Sequence, residues 1–277
     1  MQNERQQMTY FTSLKNETGI NTLDSNPCNL LDFQLVNLND GQTVQDNSAD
    51  REILAVILGG KATITAGSTT FEKIGSRPNV FSGKPTSVYI PANMDYTLKG
   101  VGNVQIALCS APSDLATDPY LISPDQIVAG RWGAANFSRN FHQILTQDGQ
   151  PDLSARRLIV GETFTPSGNW STYPAHKHEK DEGSEVFHEE MYFFKVSPDN
   201  GFGIARHYGE GYEDNHTVRD NTILMMPHGY HTYAGAPGFS SYYLWILAGE
   251  HRVQGVSADP DTGWVNNTVP MLRNLGH

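Results

Sequence analysis

Histidine and glutamate residues in the second half of the chain have the types and spacing of a metal site. His176 and His178 lie two residues apart in a stretch that reads as a β-strand, so their side chains project from one face. A charged loop follows, and then a second predicted strand in which Glu190 and Tyr192 share a face. If the two strands pair, Glu190 reaches the space beside both imidazoles. Two neutral imidazoles and a carboxylate are typical ligands of a first-row divalent metal.

A fourth ligand is expected from a later segment that carries His231. An apolar run there is closed by Pro227 and Gly229, which predicts a strand ending in a turn. That turn would carry His231 to the mouth of a barrel. Any one of these histidines alone is compatible with an ordinary surface or core role. The combination predicts a single divalent cation held by four side chains: His176, His178, Glu190 and His231.

Length and composition indicate an ordinary water-soluble chain. It has 277 residues, 38% hydrophobic and 18% charged, which suits one large domain or two of moderate size. No apolar run approaches the ~20 residues that span a bilayer. Residues 1–7 are followed by no apolar signal-peptide segment. The two cysteines, Cys28 and Cys109, make no disulfide framework, so the expected location is cytoplasmic.

The net charge of −11, with no basic run, limits the partners of the chain. It argues against binding to nucleic acid and to anionic membranes. It leaves room for a small anionic substrate, because one or two local Arg or Lys side chains are enough to bind one.

Short apolar runs separated by Gly and Pro predict an all-β fold. No long stretch has the 3.6-residue periodicity of an amphipathic helix. Residues 53–58 and 62–66 read as strands, and the Gly59-Gly60 pair between them predicts a hairpin.

A weak internal repeat suggests two copies of one β-fold. The segment that starts at Glu52 resembles the one that starts at Glu190, and the segments around Pro91 and Pro227 are also similar. This alignment places Asp95 where the second copy has His231. All ten histidines lie at or after position 142, so the first copy cannot build a histidine site. We therefore predict an N-terminal barrel without metal ligands over residues 1–125 and a metal-binding barrel over 126–277.

At these residues the chain resembles the cupin superfamily. Cupins use His-x-His with a Glu in a first motif, and Pro-x-Gly with a His in a second. The resemblance implies an all-β bicupin, that is, two cupin (jelly-roll) barrels in tandem. Because cupins serve many unrelated functions, this pattern supports the fold better than the reaction.

A closer resemblance is to the 5-deoxy-glucuronate isomerase family of inositol catabolism. It includes loop residues that a barrel does not need, and it is strongest from 130 to 262. The matching segments are 74–81, 137–145, 168–178, 190–192, 227–231, 236–239, 242–244, 248–249 and 259–261. Departures from the family pattern occur at Thr232 and His228.

The family resemblance implies an aldose–ketose isomerisation of 5-deoxy-glucuronate to 5-dehydro-2-deoxy-gluconate. A proton leaves C2 and returns at C1 through an enediolate, which a metal acting as a Lewis acid stabilises. Zn²⁺ or Mn²⁺ fits the ligand set, and Fe²⁺ is also compatible with it.

Residues for proton transfer are expected close to the ligands. The candidates are Glu162, in a strand-like run, and His228, beside the second motif. Glu189 ranks lower, because strand alternation turns it away from Glu190. For Glu162, a solvated strand position is an equally good interpretation.

The substrate carboxylate requires a cation, and Arg is favoured for bidentate binding. Four basic residues lie near the predicted ligands in sequence, although each is also compatible with a plain surface charge: Arg139, Arg156, Lys177 and Arg206. Tyr192 and Tyr243 could hydrogen-bond sugar hydroxyls, with core packing as the alternative.

Other readings of the same residues remain open at this point. They are an isomerase of a related uronate, an iron-dependent cupin dioxygenase, a non-catalytic sugar-binding bicupin and a storage-type bicupin. Exposed strand edges also make a homo-oligomer plausible.

Overall fold

The computed structural model describes residues 9–277 and is almost entirely β, as the sequence predicts. Residues 1–7, on which the expected absence of a signal peptide rests, lie outside the described residues. The strands of the first half are β1 (Phe11–Ser13), β2 (Gly19–Thr22), β3 (Asp32–Leu38), β4 (Thr43–Asn47), β5 (Arg51–Ala66), β6 (Thr69–Ile74), β7 (Thr86–Ile90), β8 (Asp95–Pro112) and β9 (Tyr120–Ile122).

The second half continues with β10 (Val128–Trp132), β11 (Arg139–Leu145), β12 (Leu158–Thr165), β13 (Trp170–Lys177), β14 (Glu189–Ser197), β15 (Gly203–Gly209), β16 (Tyr212–Val218), β17 (Thr222–Met226), β18 (Tyr230–Gly235), β19 (Ser240–Ala248) and β20 (Ser257–Ala258). Short 3₁₀ helices cover Pro124–Gln126, Ala135–Phe137 and Gly263–Thr268, and the last of these runs into α1 (Val269–Asn274). Across residues 9–277, no helix has the length and hydropathy of a transmembrane span.

Three sheets organise the chain, and they fit two barrels in tandem. The first half forms an eight-stranded sheet in the order β2-β3-β8-β5-β7-β9, with β4 and β6 as side branches. The second half forms a seven-stranded sheet, β1-β17-β14-β19-β12-β11-β10, that faces a five-stranded sheet, β16-β15-β18-β13-β20. Strand β1 comes from the first half of the chain and covers the β17 edge. The boundary between residues 125 and 126 remains a prediction.

The apolar core is divided among three clusters. One fills the first half, around Ile57 and Leu98. A second lies between the two sheets of the second half, around Phe194 and Tyr233. The third joins the halves, where Phe33 of one stacks on Phe193 of the other. The four predicted metal ligands belong to the second half, where His231 contacts Tyr192 of the second cluster.

Two buried carboxylates link the halves reciprocally. Glu52, at the start of β5, accepts backbone N–H groups of Arg156, Arg157 and Leu158 at 2.7, 2.6 and 2.8 Å. The phenol of Tyr89 donates to the same carboxylate at 2.6 Å. Glu52, in the first half, thus satisfies backbone amides at the start of β12 in the second half.

Glu189, at the start of β14, accepts the backbone N–H groups of Asn29, Leu30 and Leu31 at 2.8, 2.6 and 3.2 Å. We call the Glu52 and Glu189 contacts the reciprocal clamps. Nearly all buried backbone amides need a partner, so both carboxylates hold the chain in a fixed path between the halves.

The strand registers correct the repeat alignment by one residue. Glu52 lies opposite Ala111, and Glu189 lies opposite Ala248. Glu52 therefore corresponds to Glu189, and the residue that corresponds to Glu190 is Ile53. The sequence alignment was wrong because long apolar runs do not define which of two neighbouring residues faces inward.

The hairpin predicted at Gly59-Gly60 is also wrong, because β5 continues through both glycines with register shifts. A Cβ at Gly60 would lie 2.2 Å from the carbonyl oxygen of Asn103, and its φ is +91°. Glycine is needed here for a bulge and a close backbone approach rather than for a turn.

Candidate metal centre

The four predicted ligands converge inside the second half. His176 lies in β13, His178 follows the end of that strand, Glu190 lies in β14 and His231 in β18. The expected pairing of the first two strands is wrong, since β13 pairs with β18 and β20. Strand β14 belongs to the facing sheet, so Glu190 reaches the histidines across the interior. The strand and turn predicted before His231 are confirmed, because β17 ends at Met226, residues 227–229 bend, and β18 begins at Tyr230. His231 is also the direct strand partner of His176.

Distances within the cluster suit a single cation. One ligand atom from each of the four side chains lies within 4.8 Å of all the others. Glu190 Oε2 is 3.0 Å from His178 Nε2 and 2.9 Å from His231 Nε2. The imidazole centroids of His176 and His231 are 4.7 Å apart. All four groups are therefore close enough to share one ion.

The pKa shifts of His176 and Glu190 favour cation binding. Burial, followed by the neighbouring His231 and His178, lowers the pKa of His176 well below its ordinary value. Burial alone would raise the pKa of Glu190, but the charge of His231 and the charge and hydrogen bond of His178 outweigh it, and the pKa is lowered. A neutral imidazole and an ionised carboxylate are the forms that bind metal.

His178 is held in place by the backbone. Burial works to lower its pKa, but the hydrogen bond to Glu190 prevails, so the pKa is raised. Its Nδ1 lies 2.7 Å from the carbonyl oxygen of His188, and the backbone N–H of His188 donates to the carbonyl of His178 at 2.9 Å. Such a contact fixes the tautomer that leaves Nε2 for a metal.

The residues present fit a divalent metal. His231 Nε2 is fully buried and lies 2.9 Å from Glu190 Oε2 in a geometry that makes no hydrogen bond, although a buried polar atom normally has such a partner. A cation between His231 and Glu190 would provide that partner. Three imidazoles and one carboxylate are borderline ligands that suit Zn²⁺, Mn²⁺ or Fe²⁺, and they do not select one of these ions.

A cavity of about 350 Å³ opens onto the cluster. Arg139, Tyr192 and Tyr243 line it, as proposed for substrate-binding residues. The Tyr192 ring stacks on Tyr243 at 4.4 Å and meets the His231 ring edge-on at 5.4 Å. The wall also includes residues that the sequence did not single out: Trp132, Phe141, Gln143, Thr163, Trp245, Gln254 and Asn266.

The other three basic candidates lie outside this cavity. Arg156 pairs with Asp114 and Glu250, at 3.0 and 2.7 Å. Lys177 pairs with its neighbour Glu179. The remaining one, Arg206, pairs with Glu213 at 2.8 Å and lies over the Tyr208 ring. Nearness in sequence to the ligands did not indicate which face each side chain occupies.

Neither proton-transfer candidate lines the cavity. Glu162 is on the opposite face of β12 from the lining residue Thr163, as strand alternation requires. Its carboxylate accepts from Arg77 Nη1 at 2.9 Å and contacts His142 Nδ1 at 2.7 Å, between the two halves. His228 instead lies beside Tyr212, with Nδ1 3.2 Å from that hydroxyl.

Replacement of Glu162 by Gln tests whether Glu162 acts between the two halves, as a partner of Arg77, and not in the cavity. We expect the free energy of unfolding to fall by about 3 kcal/mol, because the buried Arg77 charge loses its partner. We expect kcat of the metal-loaded enzyme to stay nearly unchanged. Urea denaturation and steady-state kinetics measure the two effects. A large loss of kcat with unchanged stability would restore Glu162 as a proton carrier.

Some of the residues that line the cavity could have been predicted from the sequence. Trp132 comes from β10 and lies at the start of the region, 130–262, where the family resemblance is strongest. Gln254 and Asn266 come from the segment after the last long strand, which β20 attaches to His176. The family-like segments at 137–145 and 259–261 are close to both regions and were the available signal.

Two facing β-sheets with a His-x-His, Glu and His cluster between them define a cupin-type metal-binding protein. The KduI/IolB family model matches residues 10–265. The chain belongs to this family.

Relatives agree with that assignment. The protein is 38% identical over 237 residues to the 5-deoxy-glucuronate isomerase of Geobacillus kaustophilus, with 84% of each chain covered. It is 34% identical over 248 residues to the enzyme of the same name from Bacillus subtilis strain 168, covering 88% of this chain and 90% of the relative.

Solved structures extend the likeness to the fold. An IolB-like protein from Salmonella typhimurium LT2 has a TM-score of 0.87 at 28% identity, covering 94% of this chain and all (100%) of that one. The oxalate decarboxylase of Lactobacillus farciminis, in a formate complex, has a TM-score of 0.64 at 10% identity, covering 91% and 88%. At that identity the second likeness concerns the fold alone.

Proposed function

We propose that this protein is a metal-dependent aldose–ketose isomerase that converts 5-deoxy-glucuronate to 5-dehydro-2-deoxy-gluconate in myo-inositol catabolism. The observation that carries the proposal is the buried cluster of three histidines and one glutamate at a cavity of about 350 Å³. That volume suits a small sugar acid. Relatives at 34–38% identity bear the name of this enzyme.

The cluster has the charge that the reaction needs. When bound to His176, His178, Glu190 and His231, a divalent cation supplies Lewis-acid stabilisation of the negative charge that develops on the substrate oxygens. Because Glu190 is the single anionic ligand, the site keeps a net positive charge. Buried surroundings strengthen that electrostatic effect.

Arg139 is the proposed anchor for the substrate carboxylate. Apart from Glu190, it is the one fully charged side chain among the described residues that line the cavity. Its charge is one of the influences that lower the pKa of His176, after burial, His231 and His178, so the guanidinium acts within electrostatic reach of the ligands. A guanidinium can hold a carboxylate by two hydrogen bonds and orient the sugar acid toward the cluster.

Replacement of Arg139 by Met should raise KM for the sugar acid by roughly 10-fold to 100-fold, the value of a charge-assisted hydrogen bond. Arg139→Lys should recover part of this loss, because it keeps the charge and loses the bidentate geometry. Initial-rate kinetics measure both variants. Arg206→Met is the matched control, since Arg206 lies outside the cavity and pairs with Glu213. An unchanged KM in Arg139→Met would remove it as the anchor.

Metal analysis of the purified protein, followed by NMR of 5-deoxy-glucuronate in D₂O, tests the function. We expect about one equivalent of Zn²⁺, Mn²⁺ or Fe²⁺, loss of the aldehyde signal and solvent deuterium in the product. A metal-loaded protein that leaves this aldehyde untouched would contradict the proposal. Turnover of another uronate, or oxygen uptake by iron-loaded protein, would then identify the alternative.

We also propose a cytoplasmic location and a small sugar acid, rather than nucleic acid or membrane, as the partner. The two free cysteines and the charge of −11 support this. Strand β10 is the last strand of the seven-stranded sheet, and such an edge strand supports assembly into a homo-oligomer.

A further inference from the structure

Thr172 has an unusual backbone conformation beside the metal cavity. Its φ is +58°, in the left-handed region. Among the described non-glycine residues with positive φ, it is the one β-branched residue, and the others are Ala49, Lys73, Asn93, Ala135 and Asn221. A β-branched side chain is a genuine outlier in that region. Such strain persists where the surrounding structure enforces it, and it is concentrated at functional sites.

The conformation directs the Thr172 hydroxyl toward two cavity tyrosines. Thr172 is 2% exposed, and its Oγ1 lies 3.1 Å from the Tyr243 hydroxyl and 3.5 Å from the Tyr192 hydroxyl. The Tyr243 hydroxyl is also 2.6 Å from Ser171 Oγ. The four hydroxyls form a buried chain that ends at Tyr192, whose ring meets the ligand His231.

Hydrogen-bond accounting leaves the Tyr192 proton available. Ser171 and Thr172 both satisfy Tyr243, at 2.6 and 3.1 Å. Tyr192 has only the 3.5 Å contact with Thr172, which is long for a bond between two hydroxyls. A substrate oxygen in the cavity would offer a shorter bond. Among the described lining residues, no carboxylate other than the ligand Glu190 could accept the Tyr192 proton in place of the substrate.

We propose that Thr172 is a positioning residue that fixes the Tyr192 phenol so that its O–H donates a hydrogen bond to a reacting oxygen of the substrate beside the metal cluster. This inference rests on the proposed isomerase function and assigns a role to a residue that contacts neither metal nor substrate. The strained backbone is the means of placement, because an ordinary strand conformation would turn the hydroxyl away from the tyrosines.

The test uses three substitutions that separate the hydroxyl from the backbone. Thr172→Val keeps the β-branched shape and removes the hydroxyl, so kcat should fall on the order of 10-fold to 100-fold, as for a misplaced catalytic group. KM and metal content should stay unchanged. Thr172→Ser should restore most of kcat. Thr172→Gly should lower kcat without lowering the melting temperature, since glycine tolerates a positive φ.

Two further variants complete the design. Lys73→Gly is the matched backbone control, because exposed Lys73 also has a positive φ, of +51°, and lies far along the chain in β6. It should leave kcat unchanged. Tyr192→Phe should reproduce the Thr172→Val loss, and the double variant should lose little more, because both variants disrupt the same hydrogen bond between the Tyr192 phenol and the substrate.

The outcomes separate this inference from the proposed function. A wild-type protein that binds metal but does not isomerise the sugar acid contradicts the function itself. An active wild type with unchanged kcat in Thr172→Val overturns the positioning role. The same holds if Thr172→Val loses metal or melts early while kcat per bound metal stays constant, or if its loss adds fully to that of Tyr192→Phe.

Discussion

Glu190→Gln is expected to give a folded protein that has lost its metal and nearly all of its activity. The cluster has one anionic ligand, and glutamine removes that charge while keeping the shape. Lewis-acid stabilisation is worth several kcal/mol, so kcat should fall on the order of 1000-fold. Metal content by plasma emission spectroscopy, circular dichroism and steady-state kinetics would measure the three quantities.

Glu189→Gln provides the matched control one residue earlier. The chemical change is identical, but this side chain points away from the cluster and holds the amides of Asn29, Leu30 and Leu31. We expect Glu189→Gln to keep its metal and its kcat and to lose stability. Retention of full metal content by Glu190→Gln, or loss of metal by both variants, would contradict the assigned ligand set.

The second large effect is expected for Glu52→Gln. Glu52 is fully buried (0% exposed), and its two oxygens accept three backbone amides and the Tyr89 phenol. A glutamine side chain keeps one acceptor oxygen and presents an NH₂ group to donors. At roughly 1–3 kcal/mol for each buried unsatisfied group, the free energy of unfolding should fall by about 4 kcal/mol.

Urea denaturation at saturating metal would measure the effect of Glu52→Gln. Glu72→Gln is its control, since Glu72 is an exposed residue of the same sheet. It should change the free energy of unfolding by no more than about 0.5 kcal/mol. A loss below about 1 kcal/mol for Glu52→Gln would mean that water replaces the carboxylate and that this reciprocal clamp contributes little.

The sequence predicted the fold class and the cluster because both depend on local periodicity. His176 and His178 share a face in any extended strand, and turn residues mark the second motif. Loop similarity to a known family then extended the prediction to the reaction. The cluster was predicted through a pairing of the His176 and Glu190 strands that the structure does not have, and it forms because those strands face each other across the interior.

The errors have a common physical cause, because the sequence does not say which face of a strand is turned to which neighbour. Glu162 faces Arg77, which is 85 residues away in the chain, so no local signal could assign it to the contact between halves. The same cause explains why the repeat alignment matched Glu52 to Glu190 and not to Glu189. It also explains why Arg156 was predicted to bind the substrate although it lies outside the cavity. The left-handed Thr172 is set by tertiary contacts, and no residue preference predicts it.

The reciprocal clamps make each half of the chain necessary to the structure of the other. Each half completes the hydrogen bonding of the other, so a polypeptide severed at the junction would yield fragments with uncapped strands. Melting should therefore occur as one cooperative event. The first half contributes no side chain to the four-residue cluster, but it is required as a scaffold for the half that does.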